Sequence, residues 1–256
     1  MVSLKTPQEI ELLAEAGALL SALLDELVDL VAVGVTGKQL DDHARVFMHT
    51  AGATPAFLGY GKPPYPAAIC VSVNDQVVHG IPTSEPFRDG DVVSIDGGLF
   101  LHDLIVDAAR TVAVGSVSAE HKKLLEITKI ALQKGIEQAH VGKRTGDIGY
   151  AVQSYVESQG FEVVRDLVGH GVGHGLHEDP QVPNFGTKGA GVLLEEGLVI
   201  AIEPMVTIGS PQVATSSDKW SMGKQRRGVK WEMVVAERSL AFGLNLARRL
   251  TSSKNK

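Results

Sequence analysis

Five residues of metal-ligand type stand at the ends of similar apolar runs: Asp96, Asp107, His170, Glu203 and Glu232. Asp96 closes VVSID, Asp107 follows LIV, Glu203 ends LVIAIE, and Glu232 opens WEMVVAE. Carboxylates in such strand-like surroundings are expected to be half buried. A buried, uncompensated carboxylate costs several kcal/mol or takes up a proton instead. Four gathered together repel one another, and cations relieve both problems. Four acids and one imidazole suit two divalent ions, which points to metal-assisted hydrolysis.

Asp96 and Asp107 are eleven residues apart. A hairpin turning near Leu101-His102 places them directly opposite on one face, with Cβ atoms roughly 5 Å apart. The segment from His170 to His177 carries three histidines among three glycines, so a shaped loop or bulged strand is expected rather than a helix. One of its histidines suits a metal ligand and another a donor to substrate, while His174 reads as a rim residue. His79, in His79-Gly80-Ile81-Pro82, has a similar texture. Other chemistries lack their signatures: there is no CxxC, HExxH, EF-hand loop or GxSxG. The mixed oxygen and nitrogen donors admit manganese, iron, cobalt or zinc.

The elements that must position these groups read as a repeat. Thr6-Pro7-Gln8-Glu9 is a capping box with proline at the first helical position, opening a long amphipathic helix through Ile10, Leu13, Leu20, Leu24, Leu27 and Val31. A second helix follows Thr36 and ends near Gly52, and strands with Gly/Pro punctuation fill about 68–112. Ser118 opens a third helix, Thr145 a fourth, and strands continue to about 237. Thr36-Gly37 and Thr145-Gly146 lie 109 residues apart, and Asp96 and Glu203 lie 107 apart. A duplicated half-domain would set Asp96 and Glu203 across a shared cavity. The repeats run about 6–115 and 118–237 within one catalytic domain, 1–256, with 238–256 as a tail flexible at its end.

The 256 residues, 44% hydrophobic, suffice for one domain with a sizeable core. A net charge of −6 argues against non-specific DNA binding, and the single Cys70 excludes an internal disulfide. No signal layout or membrane-spanning run is legible, so a cytoplasmic monomer is expected. The basic segments at 224–230 and 248–256 read as solvated surface, with transient attraction to ribosomal RNA as the alternative.

His79-Gly80-Ile81-Pro82, SIDGG at Asp96, DAART at Asp107, GHGVGHGLHEDP from Gly169 to Pro180, IEPMV at Glu203 and the late Trp231-Glu232 together resemble type I methionine aminopeptidases. The ordered set spans most of the chain. The resemblance implies an α+β pita-bread fold, a pseudo-symmetric antiparallel sheet backed by helices. It implies two divalent ions held by Asp96, Asp107, His170, Glu203 and Glu232, with Asp107 and Glu232 bridging. It implies a water between the ions as nucleophile and Glu203 as general base. His177 would donate near the scissile carbonyl, and His79 would contact the amine or reacting amide nitrogen. Phe57, Tyr60, Tyr65, Cys70 and Trp220 match the family's substrate pocket, and the partner would be the N-terminal Met of nascent polypeptides with a small second residue.

The chain departs from the family pattern at Met233-Val234 after Glu232, at Ile105-Val106 before Asp107, at Leu176, and in the loop GYGKPPYP. These bear on substrate preference more than on catalysis. Two rivals stay open. Prolidase or aminopeptidase P relatives usually carry an additional N-terminal domain, and about 65 residues precede the first strands here. A non-catalytic pita-bread binding protein would be free to lose ligands, and all five are kept.

Overall fold

The structure, a computed structural model, describes residues 2–224 and the backbone of 234–236 and 239–241. Two helices open it, α1 (Pro7–Leu30) and α2 (Gly37–Thr50). Five strands follow: β1 (Thr54–Pro55), β2 (Ile69–Val73), β3 (Gln76–Val78), β4 (Val92–Leu101) and β5 (Leu104–Ala113). A second helix pair, α3 (Ala119–Gln138) and α4 (Thr145–Ser158), precedes β6 (Glu162–Val163), β7 (Gly169–Gly171), β8 (Glu178–Val182), β9 (Ile200–Ile202) and β10 (Met205–Thr207). The order closes with β11 (Val213–Thr215), β12 (Met222–Lys224), β13 (Val234–Ala236) and β14 (Ser239–Ala241). All pairings among these strands are antiparallel.

Helix α1 begins as its capping box predicts: Glu9 N–H donates to Thr6 Oγ1 at 3.3 Å and Thr6 N–H to Glu9 Oε2 at 2.7 Å. Its buried face, Ile10, Leu13, Ala16, Leu20, Leu23, Leu24 and Leu27, packs with Val93, Ile95, Leu99 and Val106 of the β4–β5 hairpin. Burying each leucine is worth about 1.5–3 kcal/mol, which presses the hairpin that carries both aspartates against a rigid support. In the second half, α3 and α4 bury Leu124, Ile127, Ala131, Val152 and Val156 against Val163 and Val206.

The halves repeat one another. Isolated bridges join Thr36 to Pro86 and Arg144 to Leu193, offsets of 144 − 36 = 108 and 193 − 86 = 107. The residue equivalent to Thr36 is therefore Arg144. Helix α4 starts at Thr145, as expected, with Arg144 as its cap. Asp147 reaches back to Arg144 N–H at 2.9 Å, whereas Thr145 Oγ1 accepts from Val192 N–H at 3.2 Å.

The hairpin register also differs from expectation. Leu101 pairs with Leu104, Asp96 with Ala109 and Gly98 with Asp107. The turn is His102-Asp103, with φ of 53° and 60°. A two-residue turn of this kind needs positive φ at both positions, which His and Asp tolerate and Leu does not. The turn therefore moves one residue beyond Leu101-His102. Asp96 and Asp107 become diagonal rather than opposite, but still share a face because the slip preserves the period of two. Strand β14 falls within the span expected to be a tail from 238 onward and pairs with β9, so the sheet continues past 237. Glu232, most of the basic run at 224–230, and the basic segment at 248–256 lie outside the described residues. Among the described residues, no helix is long and apolar enough to cross a membrane.

Candidate metal centre

Strands from both halves deliver the ligand-type side chains. Asp107 comes from β5, His170 from the middle of β7, and Glu203 from the break between β9 and β10, where Pro204 interrupts the strand. Strand β7 pairs with β9 so that His170 stands opposite Ala201, two residues before Glu203. The glycines flanking His170 allow this: a Cβ at Gly169 would lie 2.3 Å from Ala201 O, and one at Gly171 would lie 2.2 Å from Asp179 O. Asn184, itself buried, donates to Glu203 O at 2.7 Å and fixes the backbone at the break.

Asp107, His170 and Glu203 are all buried, and one ligating atom from each lies within 4.8 Å of the others. His170 Nε2 is 3.0 Å from Glu203 Oε1 and 3.6 Å from Asp107 Oδ2. His170 Nδ1 lies 2.8 Å from Gly171 O and donates to it, which turns Nε2 toward the carboxylates. Two acids and an oriented imidazole, all dry and convergent, fit a divalent cation. Asp96 is likewise buried and lines the adjoining cleft. Of the five expected ligands, three therefore converge, a fourth stands on the same wall, and Glu232 lies outside the described residues.

Burial alone would lower the His170 pKa, but hydrogen bonds and charge from Asp107 and Glu203 overcome it and push the value up to about 10. In protein stripped of metal, this imidazolium stabilises the fold fully below about 6.5, and that stabilisation is lost as pH rises toward about 10. A cation takes the proton's place. Metal binding near neutral pH is thus expected to release a proton, seen as a dependence of calorimetric heat on the ionisation enthalpy of the buffer. A heat independent of buffer would show that His170 holds no such proton.

Beside the ligands lies a cleft lined by Phe57, Tyr60, Tyr65, Cys70, His79, Asp96, Asp107, Leu176, His177 and Trp220. All five pocket residues expected from the sequence are present. Leu176, a departure from the family pattern, forms an additional wall, and its place beside His177 is the sequence signal for it. Tyr65 and Trp220 meet edge to face at 5.1 Å. The Tyr65 hydroxyl donates to Gly80 O at 2.8 Å, and burial first, then Cys70 and Asp96, pushes its pKa up, so it stays neutral. His79 adopts φ of 59°, and Gly80 follows where a Cβ would lie 2.3 Å from Val71 O. Gly80 O accepts from Val71 N–H and Gly80 N–H donates to Ser72 Oγ, which pins His79 over the cleft. His177 packs its ring 4.4 Å from that of His170 and sits 2.8 Å through Nδ1 from the Tyr60 hydroxyl. His174 is a rim residue, as expected, bonded to Glu9 and Ser3.

Residues 11–236 match metallopeptidase family M24, and the chain belongs to that family. Within it, the chain is 49% identical to a methionine aminopeptidase of Clostridium perfringens over 223 residues, 87% of this chain and 88% of that one. It is 45% identical to methionine aminopeptidase 1 of Bacillus subtilis, over 87% of this chain and 89% of that one. The crystal structure of methionine aminopeptidase from Thermotoga maritima superposes with a TM-score of 0.89 at 39% identity, covering 94% of each chain.

Proposed function

We propose that this chain removes the N-terminal methionine of nascent proteins and peptides whose second residue is small, as one catalytic domain. The observation that carries the reading is the convergence of Asp107, His170 and Glu203 beside an apolar, aromatic-walled cleft. Asp96, Asp107, His170, Glu203 and Glu232 would hold two divalent ions, cobalt, manganese, iron or zinc. When bound, they supply charge neutralisation and polarisation of the scissile carbonyl.

The chain's own groups do the rest. Glu203 accepts the proton of the attacking water. His177 donates a hydrogen bond to the carbonyl oxygen as negative charge develops there, and His79 faces the amine or the reacting amide nitrogen. Phe57, Tyr60, Tyr65, Cys70, Leu176 and Trp220 receive an unbranched thioether, which packs well against aromatic rings. A charged side chain in that cleft would lose its solvation without compensation.

A kinetic panel of Met-Gly, Met-Ala, Met-Arg, norleucine-Gly, Leu-Gly, formyl-Met-Gly and Ala-Pro peptides tests the reading. Met-Gly and Met-Ala are expected to be cleaved fastest, norleucine to substitute for Met, and the formylated peptide to be refused. Preference for Ala-Pro would favour a proline-directed relative. No turnover of any member with metal in place would favour a binding protein.

A further inference from the structure

We propose that Lys5 is a positioning residue, holding through a buried ion pair with Glu178 the loop that presents His177; this rests on the reading of His177 as a donor to substrate. The Lys5 ammonium has no exposed side-chain surface, and its Nζ lies 2.5 Å from Glu178 Oε2 and donates to Ser3 O at 3.1 Å. A buried ammonium is costly unless paired, so this contact is kept for as long as the fold is kept. Glu178 is the residue after His177, and its other oxygen, Oε1, accepts from Gly175 N–H at 2.6 Å. The carboxylate thus closes a ring around Leu176 and His177, the two loop residues that face the cleft.

The loop is shaped to admit the lysine. Gly173 has φ of 141°, and a Cβ there would lie 2.4 Å from Lys5 Cε. The other end of Lys5 is tied to the opposite side of the site: its N–H donates to Gly197 O at 2.7 Å, and Leu4 bridges to Leu198, at the entry to the strand that ends at Glu203. Ser3 and Glu9 reinforce the connection by bonding His174 at 2.9 and 2.6 Å. The N-terminal segment therefore couples the backbone leading to Glu203 to the loop carrying His177. Nothing in the reaction touches Lys5, so it acts through His177.

The test is Lys5→Met, which keeps an unbranched stem and removes the charge, measured with metal loaded in two backgrounds. In the otherwise native chain kcat is expected to fall roughly 10–100-fold, the scale of a misplaced catalytic group. KM and metal content should stay within about twofold. In a His177→Ala background the same change should alter kcat by less than about twofold, because the group it positions is gone. If Lys5→Met does not fold, the pair Lys5→Met with Glu178→Gln, which leaves no unpaired buried charge, is carried through both comparisons. Equal slowing in the two backgrounds overturns the inference in favour of a purely structural role. An unchanged kcat in the native background also overturns it, leaving the donor reading of His177 intact. A native kcat in His177→Ala alone overturns the donor reading itself.

Discussion

Asp107→Ala is expected to fold, to retain little metal, and to turn over Met-Gly peptides at least ~10³-fold more slowly than the unaltered chain. The scale follows from the several kcal/mol a bound metal supplies to the transition state, at about 1.4 kcal/mol per tenfold in rate. Asp107 has no exposed surface, and its Oδ2 is one of three convergent ligating atoms. Its removal leaves His170 and Glu203 as the pair that remains, 3.0 Å apart, able to satisfy one another as imidazolium and carboxylate. That pairing is the reason the variant should fold while binding metal poorly. Asp107→Asn separates charge from shape: it preserves volume, so a similar loss of metal would assign the effect to the carboxylate. Metal analysis by mass spectrometry alongside kinetics decides the matter. A fully active Asp107→Ala, or full activity in protein stripped of metal, would remove the basis for the metal reading.

The parts of the fold governed by local chemistry were legible in the sequence. The capping box at Thr6, the buried stripe of α1 and the acids at strand ends all follow from spacing and residue type. The gathering of Asp107, His170 and Glu203 was legible because each acid or imidazole ends or interrupts an apolar run, where only a partner makes it tolerable. The hairpin register was not, because apolar alternation fits both turns equally. Only the tolerance of His102 and Asp103 for positive φ selects the right one. The fourth helix starts at Thr145 as the sequence suggests, but its cap is Arg144, because Thr145 spends its hydroxyl on Val192, distant in sequence.

Contacts of long sequence separation were the least legible. Asn184 holds the carbonyl of Glu203, and Lys5 pairs with Glu178 across 173 residues. Nothing near Lys5 marks it as buried, since lysine is among the residues least often found inside. Leu176 had a sequence cue in its neighbour His177, but its role as a wall depends on Phe57, Tyr65 and Cys70 arriving from elsewhere in the chain. Sequence patterning thus pointed to groups that the fold brings together, whereas the groups that hold them in place emerged only from the three-dimensional arrangement.

His177→Ala is expected to lower kcat by about 10²–10³-fold, the usual scale for one donor to a developing oxyanion. Metal content should remain near that of the unaltered chain. The expectation rests on the division of labour between two histidines that touch, with ring centroids 4.4 Å apart. His170 Nε2 points at Glu203 and Asp107, and its Nδ1 is committed to Gly171 O. His177 instead has Nδ1 beside the Tyr60 hydroxyl and lines the cleft where substrate would enter. His170→Ala should therefore lose metal first and activity as a consequence, and added metal should recover part of its rate. His177→Ala should not respond to added metal, because its deficit lies in stabilising the carbonyl oxygen rather than in occupancy. Loss of metal from the His177 variant with retention in the His170 variant would reverse the two assignments.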